Sequence, residues 1–357
     1  MRYHLNPGAS RDPYSADERR ILSLDKSRAA LKEFEQWPGY APTPLRDLPE
    51  LADRFAIASL GYKDESSRFG LGSFKALGGA YAAKRALSRA SITELGRATL
   101  CCATDGNHGR SVAYAAQRLG CRCVVFIHEH APKAKAEAIR ALGAQVITTP
   151  GTYDDSVSLA RQLARSNGWI PVMDTSDDEF DETVVDVMNG YATTALEICD
   201  RCPADPPTHA FVQAGVGGLA AAVAATFAQV FGHERPTLVV VEPEAAACVL
   251  ECAMNGSPVN VRGDLNTAMQ MLSCGRASNV AWKVLKQHVD GFLAIEDRFA
   301  EAARDELVRQ KIDAGVSGAA ALAGLTAAID APELRDALAI DSQSRVLVFG
   351  TEGADPQ

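Results

Sequence analysis

One lysine, Lys75, is flanked by small and apolar residues in the stretch LGSFKALGG, residues 71–79. The stretch predicts the start of a helix in which Phe74, Leu77 and Tyr81 recur at helical spacing and form an apolar face. An amine held against apolar groups at the positive end of a helix has its charged form disfavoured, so we expect a lowered pKa at Lys75. The freed lone pair would suit imine chemistry. The alternative is an ordinary surface lysine whose charge reaches solvent.

A second candidate site is the glycine-rich loop AGVGGLA, residues 214–220, between the strand-like HAFVQ and a helical run. Gly215, Gly217 and Gly218 would expose backbone N–H groups at a helix N-terminus, where an anion is stabilised by roughly 0.3–1 kcal/mol per charge. By itself the loop suits a dinucleotide with Glu242 as its ribose acid, another phosphate, or a structural turn. Lys75 favours a phosphate, because a lysine that forms an imine also needs a phosphate cradle and a polar loop.

Polar loops follow other apolar strands of the sequence. TDGNHG, residues 104–109, follows LCCA; GTEG, residues 350–353, follows RVLVF; and WIPVMD ends at Asp174. In open α/β sheets, ligands bind beyond the carboxyl ends of the strands, so we expect these loops to carry the chemistry.

The elements that position these loops alternate along the chain. Strand-like runs such as ATLCCAT, CRCVVFIHE, TLVVVEP and SRVLVFG alternate with helical runs. One helix is predicted to end at Gly120, and the next to carry Pro132 in its first turn and end at Gly143. The region from TLVVVEP to about residue 330 is predicted to be mostly helical. The alternation predicts an α/β fold of two lobes, each a mostly parallel sheet flanked by helices, with a cleft between them.

Composition limits the class of protein. The chain has 357 residues, 47% of them hydrophobic, which is enough for a large core. A formal net charge of −9 without a basic stripe argues against nucleic acid as a partner. No stretch reaches the roughly 20 apolar residues of a membrane helix, and the nine scattered cysteines are typical of a reducing compartment, so we expect a cytoplasmic protein. Cys199 and Cys202 form a lone CxxC, and no metal is expected.

Ordered motifs then indicate a family. SFKALGGAY, TDGNHGRSVAYAAQRLG, APKAKAEAIRALGA, QAGVGGLAAAV and VEPEAA resemble, in this order, motifs of the fold type II pyridoxal-phosphate enzymes, the superfamily of threonine dehydratase and the tryptophan synthase β-chain. Within it, PGYAPTPLRDLPELA, KDESSRFGLGSFKALGG, TDGNHGR, MNGY and MLSCGRASNVAW are similar to the diaminopropionate ammonia-lyase family over most of residues 38–355.

The resemblance implies a pyridoxal 5'-phosphate cofactor and assigns its contacts. Lys75 would bond covalently to the cofactor, Asn107 would hydrogen-bond the ring oxygen, and Thr351 would face the pyridine nitrogen. A hydroxyl at that place supplies no counter-charge, so the ring is a weaker electron sink, which suits β-elimination. The implied cofactor contacts are Phe74, Lys75, Asn107, Gly215, Val216, Gly217, Gly218, Leu219 and Thr351.

The implied reaction is elimination of ammonia from 2,3-diaminopropionate to give pyruvate. A site that prefers this substrate to serine needs a carboxylate beside the β-amine. Asp105, where the related dehydratases carry a small residue, is the first candidate, and Asp174 is the second. Either could also act as a base on the face of Cα opposite Lys75, which would admit both D and L isomers. The residues expected at the substrate are Thr104, Asp105, Gly106, His108 and Tyr191.

Alternatives stay open at the level of sequence. Where relatives commonly read GESG this chain reads GVSG, with Val316 in place of the acid. A serine or threonine dehydratase or a β-replacement synthase would share the cofactor motifs. A nucleotide-binding oxidoreductase built on residues 215–242 would leave Lys75 without a role, and a catalytically silent amino-acid-binding relative would not need it.

The family also suggests an organisation for the whole molecule. We expect a large cofactor-binding domain of residues 1–85 and 188–357, a small α/β domain of residues 86–187, and a homodimer. Cys248 and Cys274 could approach each other near the cleft, which their spacing does not decide.

Overall fold

The structure is a computed structural model, and it describes residues 1–92, 94–104, 106–129, 131, 133–151, 153–202 and 205–354. Asp105 and Pro132, both singled out above, lie outside the described residues. The strands are β1 (Arg2–Leu5), β2 (Leu45–Asp47), β3 (Ser59–Asp64), β4 (Thr99–Ala103), β5 (Arg122–His128), β6 (Gln145–Thr149), β7 (Ile170–Pro171), β8 (His209–Gln213), β9 (Thr237–Pro243), β10 (Gly291–Ile295) and β11 (Arg345–Gly350).

Helices cover much of the remaining chain. They are α1 (Ala16–Ile21), α2 (Leu24–Phe34), α3 (Pro49–Phe55), α4 (Lys75–Arg89), α5 (Asn107–Leu119), α6 (Lys133–Ala141), α7 (Tyr153–Asn167), α8 (Glu182–Arg201), α9 (Gly218–Phe231), α10 (Cys248–Asn255), α11 (Asn279–His288), α12 (Asp297–Arg309), α13 (Ala320–Ile329) and α14 (Pro332–Ala337). Within the described part of the chain, none of these helices is long and apolar enough to cross a membrane.

The strands form two sheets. The larger has the order β1-β10-β9-β8-β11-β3-β2, with parallel central strands and antiparallel edge strands β1 and β2. The smaller sheet, β6-β5-β4-β7, is parallel throughout. The predicted α/β class, with mostly parallel sheets flanked by helices, is confirmed.

The strands of the two sheets come from different parts of the chain. The smaller sheet lies within residues 86–187, and the larger sheet takes its strands from residues 1–85 and 188–357. We keep the division into two domains at these boundaries as a proposal.

Parallel strands covered on both faces read as continuous apolar runs, and this is why the sequence reveals most of them. β4 and β8 are buried along their whole length. The region expected to be mostly helical also contains one strand that the prediction did not include, β10, with the sequence GFLAI. A short apolar run fits a buried strand and a buried helix equally well, and parallel pairing with β9 decides between them here.

Helix α4, which begins at Lys75, is held closely on two sides. A Cβ on Gly190 of α8 would lie 2.8 Å from the carbonyl oxygen of Leu77, and a Cβ on Gly79 would lie 2.6 Å from Oγ of Ser111 on α5. Because these glycines lack side chains, the backbone of α4 packs directly against Gly190 of α8 and against the side chain of Ser111 on α5. The predicted end of α5 is confirmed, since Gly120 caps it in the left-handed conformation at φ +72°.

Candidate active site

The end of the last strand positions Lys75. The backbone N–H of Phe74 donates to the carbonyl oxygen of Thr351 at 3.0 Å, and Gly353 N–H donates to Gly72 O at the same distance. Ser73 and Glu352 form a β-bridge between these hydrogen bonds. The first turn of α4 is thus fixed directly to the carboxyl end of β11.

The amine of Lys75 lies between a carboxylate and two aromatic rings. Its Nζ is 2.5 Å from Oδ2 of Asp174, which follows β7 of the other sheet. The ring centroids of Phe74 and Tyr191 are each 5.9 Å from Nζ and 4.7 Å from each other. The structure therefore brings together three predicted site residues, Lys75, Asp174 and Tyr191, from distant parts of the chain.

The expected lowering of the Lys75 pKa is wrong for this arrangement. Burial by itself lowers the pKa of the amine, but the charge of the Asp174 carboxylate outweighs burial and raises the pKa above its ordinary value. Burial likewise raises the pKa of Asp174, and Lys75 reverses the shift, so the carboxyl pKa lies well below its usual range. The prediction considered the neighbours of Lys75 in sequence, whereas the dominant charge lies 99 residues away.

One hydroxyl shapes the described residues of the asparagine loop, TDGNHG, residues 104–109. Oγ1 of Thr104 accepts hydrogen bonds from the backbone N–H groups of Gly106 at 2.9 Å and Gly109 at 3.1 Å. These bonds fold the loop into the first turn of α5, and Gly106 adopts φ +152°, which favours glycine. The contacts of Thr104 and Gly106 with the substrate stay predictions. The role of Asp105 also stays a prediction, because that residue lies outside the described part of the chain.

His108 is buried, and its ring forms a hydrogen bond with the backbone. Its Nε2 is 2.8 Å from the carbonyl oxygen of Val172, so this nitrogen carries the proton and donates. Its Nδ1 lies 3.9 Å from Oδ2 of Asp174. Burial lowers the pKa of His108, which favours the neutral ring. The imidazole thus joins the asparagine loop to the segment that carries Asp174.

The glycine loop forms a concave backbone surface at the start of α9. Gly217 precedes the helix at φ +93°, and no side chain among the described residues caps its N-terminus. A Cβ on Gly215 would lie 2.9 Å from Sγ of Cys274, and one on Gly217 would lie 2.9 Å from Cδ1 of Leu285. The positive φ favours glycine at Gly217, and Gly215 packs closely against Cys274. The helix N–H groups remain available to an anion.

A serine that sequence reasoning missed borders the same loop. Ser278 is buried, its N–H donates to the carbonyl oxygen of Val216 at 2.9 Å, and its Oγ has no hydrogen-bond partner among the described residues. A buried hydroxyl without a partner costs about 1–3 kcal/mol, so a ligand that accepted its hydrogen bond would be favoured there. Ser278 lies within the quoted motif MLSCGRASNVAW. A hydroxyl inside a motif that resembles the family was the sequence signal that could have identified this residue.

Two more predicted cofactor residues carry hydrogen bonds that position them. Nδ2 of Asn107, the first residue of α5, donates to Oε2 of Glu352 at 2.6 Å. The hydroxyl oxygen of Thr351 accepts from Nε2 of Gln213 at 2.7 Å. Because β8 and β11 are neighbours in the sheet, Thr351 and the glycine loop lie side by side at its carboxyl edge.

Glu242 does not serve the glycine loop. Its two carboxylate oxygens accept from the backbone N–H groups of Val249 and Leu250, both at 2.7 Å, at the start of α10. Burial raises the pKa of this carboxyl to about 8. The group is fully engaged as a helix cap and is not placed to bind a ribose, which contradicts the dinucleotide interpretation.

The two cysteines considered above both lie at Gly215. Sγ of Cys248 is 3.3 Å from the carbonyl oxygen of Gly215, and Cys274 packs against the Cα of the same glycine. Burial raises the pKa of the Cys248 thiol well above its ordinary value, and the nearby Glu242 and Cys274 raise it further. Cys248 is therefore a neutral packing group behind the loop.

Val316, the departure from the family motif, lines a cavity of about 520 Å³ beside the site. The cavity shares Glu352, the partner of Asn107, with the candidate site. Lys135, Met271 and Ser317 also line it. An apolar side chain thus lines a cavity to which Glu352 also contributes.

Comparisons with known proteins agree with this geometry. Residues 36–351 match the family described as pyridoxal-phosphate dependent enzyme. Diaminopropionate ammonia-lyase of Escherichia coli is 35% identical over 95% of this chain and 91% of its own length, and the Salmonella typhimurium protein is 34% identical over 93% and 90%. The crystal structure of the Escherichia coli enzyme in complex with an aminoacrylate-PLP azomethine reaction intermediate superposes with a TM-score of 0.90, at 33% identity, covering 99% of this chain and 93% of that chain.

The fold and the site define a class, the pyridoxal-phosphate dependent enzymes of fold type II. Within that class the chain belongs to the diaminopropionate ammonia-lyase family.

The residues present fit the cofactor of this class. Within the described part of the chain, the start of α9 has no side-chain cap and Oγ of Ser278 has no partner, which suits a phosphate. The amine of Lys75 suits an aldehyde. Asn107 and Thr351 offer an amide and a hydroxyl, each held by a hydrogen bond to Glu352 or Gln213. The cofactor is pyridoxal phosphate.

Proposed function

We propose that this chain catalyses the α,β-elimination of 2,3-diaminopropionate to pyruvate and ammonia. It is a pyridoxal-phosphate-dependent carbon–nitrogen lyase. The choice of 2,3-diaminopropionate as substrate rests on the pair of Lys75 and Asp174, which lie 2.5 Å apart. The chain also aligns over nearly its whole length with diaminopropionate ammonia-lyases.

When bound, pyridoxal phosphate withdraws electrons from Cα of an amino acid and so weakens its C–H bond. The residues that would hold it are Lys75 through its amine, the glycine loop and Ser278 at the phosphate, and Asn107 and Thr351 at the ring. Nζ of Lys75 would then take the proton from Cα on its own face. A general base of this kind contributes about 10²–10⁴-fold to the rate.

Asp174 supplies the preference for a diamino acid. Catalysis needs Lys75 as a neutral amine, and its neutralisation would leave the nearly buried Asp174 carboxylate without the cation that pairs with it. A substrate ammonium group can restore this pairing, and the β-amine of 2,3-diaminopropionate provides one that serine lacks. We propose Asp105, which follows Thr104 in the sequence, as a second carboxylate toward the same amine or as the base on the opposite face of Cα.

A dehydratase acting on serine or threonine is the alternative within the class. Relatives commonly carry a carboxylate at the position of Val316, which is apolar in this chain. In our proposal, Asp174 provides the negative charge that pairs with the β-amine of the substrate.

We also propose that the enzyme is a cytoplasmic homodimer. The scattered cysteines, which form no disulfide among the described residues, support the first part of this proposal.

Product stoichiometry tests the function. The protein, reconstituted with pyridoxal phosphate, is incubated separately with D- and L-2,3-diaminopropionate, serine and threonine. Ammonia is measured together with the 2-oxo acid, which is pyruvate from the first three and 2-oxobutyrate from threonine. Diaminopropionate should give two ammonia molecules for each pyruvate, and serine should react much more slowly and give one. Faster turnover of serine or threonine would establish the dehydratase instead.

Matched variants of helix α4 test the catalytic lysine. Lys75→Ala should lose turnover by at least about 10³-fold. Lys84→Ala, on the same helix but paired with Glu33 near the surface, should keep it. Comparable losses in both variants would mean that the helix, and not the amine, is what matters.

A further inference from the structure

Gln213 occupies an unusual position for an amide. It is the last residue of β8, it is 2% exposed, and it directly precedes the glycine loop. Its Nε2 lies within hydrogen-bonding distance of three acceptors, Thr351 Oγ1 at 2.7 Å, Ser317 O at 3.0 Å and Gly318 O at 3.2 Å.

The backbone fixes the orientation of this amide. Carbonyl oxygens accept hydrogen bonds and cannot donate them, so the NH₂ group of Gln213 must face Ser317 and Gly318. The reversed amide would place Oε1 against two carbonyl oxygens. In the observed orientation Oε1 has no partner among the described residues, which shows that the contacts of Nε2 decide the conformation.

The orientation of the amide dictates the role of the Thr351 hydroxyl. Because Nε2 donates to Oγ1, the hydroxyl cannot give its proton to Gln213 and must direct it elsewhere. We propose that Gln213 is a positioning residue that holds the Thr351 hydroxyl as a hydrogen-bond donor toward the pyridine nitrogen of the cofactor. A ring nitrogen that accepts a hydrogen bond stays unprotonated, so Gln213 contributes to keeping the ring neutral.

This inference rests on the proposed function in one respect, that the site binds pyridoxal phosphate. The test is a double-mutant cycle on the dissociation constant of pyridoxal phosphate, measured with cofactor-stripped protein. Gln213→Met removes the amide at nearly constant length, and Thr351→Val removes the hydroxyl at nearly constant volume. Each single variant should weaken binding by about 3- to 10-fold, the value of one buried hydrogen bond.

The combined variant separates positioning from general support of the loop. If Gln213 acts through the Thr351 hydroxyl, Gln213→Met should weaken binding little further when Thr351→Val is already present. Equal and additive losses would overturn the inference, because Gln213 would then stabilise the site independently of Thr351. Binding of inorganic phosphate, which reports the glycine loop and Ser278 but not the ring contacts, should be unchanged in every variant.

A spectroscopic readout makes the test independent of affinity. With pyridoxal phosphate labelled with ¹⁵N in the ring, the nitrogen chemical shift should move in the same direction in Gln213→Met and Thr351→Val, since both lose the hydrogen bond. An unchanged shift in Gln213→Met would overturn the inference.

If Gln213→Met does not fold, Gln213→Leu serves in the same cycle. If the unmodified protein fails to bind pyridoxal phosphate, the proposed function falls together with this inference. If it binds but the cycle is additive, the inference alone falls.

Discussion

At the scale of residues, the proposed chemistry depends on Lys75 and Asp174, which are 99 residues apart in the chain and 2.5 Å apart in space. The carboxylate raises the pKa of the amine beyond what burial takes away, so the cofactor-free site holds an ion pair. Such a pair is a resting state for the lysine and a ready counter-charge for a cationic substrate. In the proposed function, this arrangement links substrate choice to the charge of the Lys75 amine.

Replacing this carboxylate should separate the substrates. Asp174→Asn should lower kcat/KM for 2,3-diaminopropionate by about 30-fold or more, the cost of about 2–5 kcal/mol for removing one partner of a buried charge pair. The residual turnover of serine, which has no β-amine, should fall much less. Steady-state kinetics with both substrates measure the difference. Asp178→Asn, four residues further on and exposed, is the control and should leave both substrates unaffected.

The same pair predicts a pH dependence of stability. The folded-state pKa of Asp174 is depressed, so its contribution to the free energy of unfolding is present above its ordinary value of about 4 and is lost as the pH falls. In the cofactor-free protein, the advantage of wild type over Asp174→Asn should therefore shrink below about pH 4. Urea unfolding at a series of pH values measures this advantage. A constant difference across the series would contradict the assigned shift.

At the scale of elements, the position of Lys75 depends on how closely α4 approaches its neighbours. Gly190 on α8 meets the backbone of α4, and the segment after β11 pairs with residues 72–74 just before the helix. The lysine is thus fixed by a helix contact and by backbone hydrogen bonds. Both depend on the absence of side chains at particular positions.

A methyl group at this helix contact should disturb both stability and activity. Gly190→Ala would place Cβ 2.8 Å from the carbonyl oxygen of Leu77 and 2.9 Å from Cα of Gly78. Overpacking against backbone costs about 1–3 kcal/mol, and the shift of α4 should lower turnover as well. Thermal unfolding and pyruvate formation measure the two effects. Gly96→Ala is the control, because its Cβ would lie 4.0 Å from the nearest atom, and it should change the free energy of unfolding by less than about 0.5 kcal/mol.

At the scale of the whole molecule, a buried cluster of charges joins distant segments. Glu197 of α8 contacts Nζ of Lys63 at 2.5 Å and Nη1 of Arg68 at 2.7 Å, and Glu65 contacts Nη2 of Arg68 at 2.8 Å. All four side chains are almost fully buried, and Thr43 N–H donates to Glu197 at 3.1 Å. The cluster fixes the end of β3, where the segment leading to Lys75 begins, to the helix that carries Tyr191.

Removing one charge from the cluster should be costly. Glu197→Gln leaves two buried cations with one carboxylate, and the expected loss is about 3–5 kcal/mol in the free energy of unfolding. Urea unfolding of the holoenzyme measures it. Asp200→Asn, on the same helix, breaks an exposed pair with Arg28 and should cost less than about 1 kcal/mol. Similar losses in both variants would show that burial of the cluster contributes little.

The sequence by itself determined the α/β alternation, the helix stop at Gly120, the glycine loop and the lysine, because each is encoded by neighbours in the chain. Periodicity, caps and positive-φ glycines act over a few residues. The strand β10 was missed because five apolar residues do not distinguish a buried strand from a helix.

Tertiary structure alone decided how these parts act on one another. The sheet places β8 beside β11, so Gln213 meets a hydroxyl 138 residues away, and the return of the chain after β7 places Asp174 on Lys75. Charge and hydrogen-bond energies depend on distance and direction in space, and the strand order that sets them does not follow the order of the sequence. For that reason the sequence could single out Lys75 as the candidate catalytic amine, whereas the direction of its pKa shift depended on Asp174 and could not be predicted.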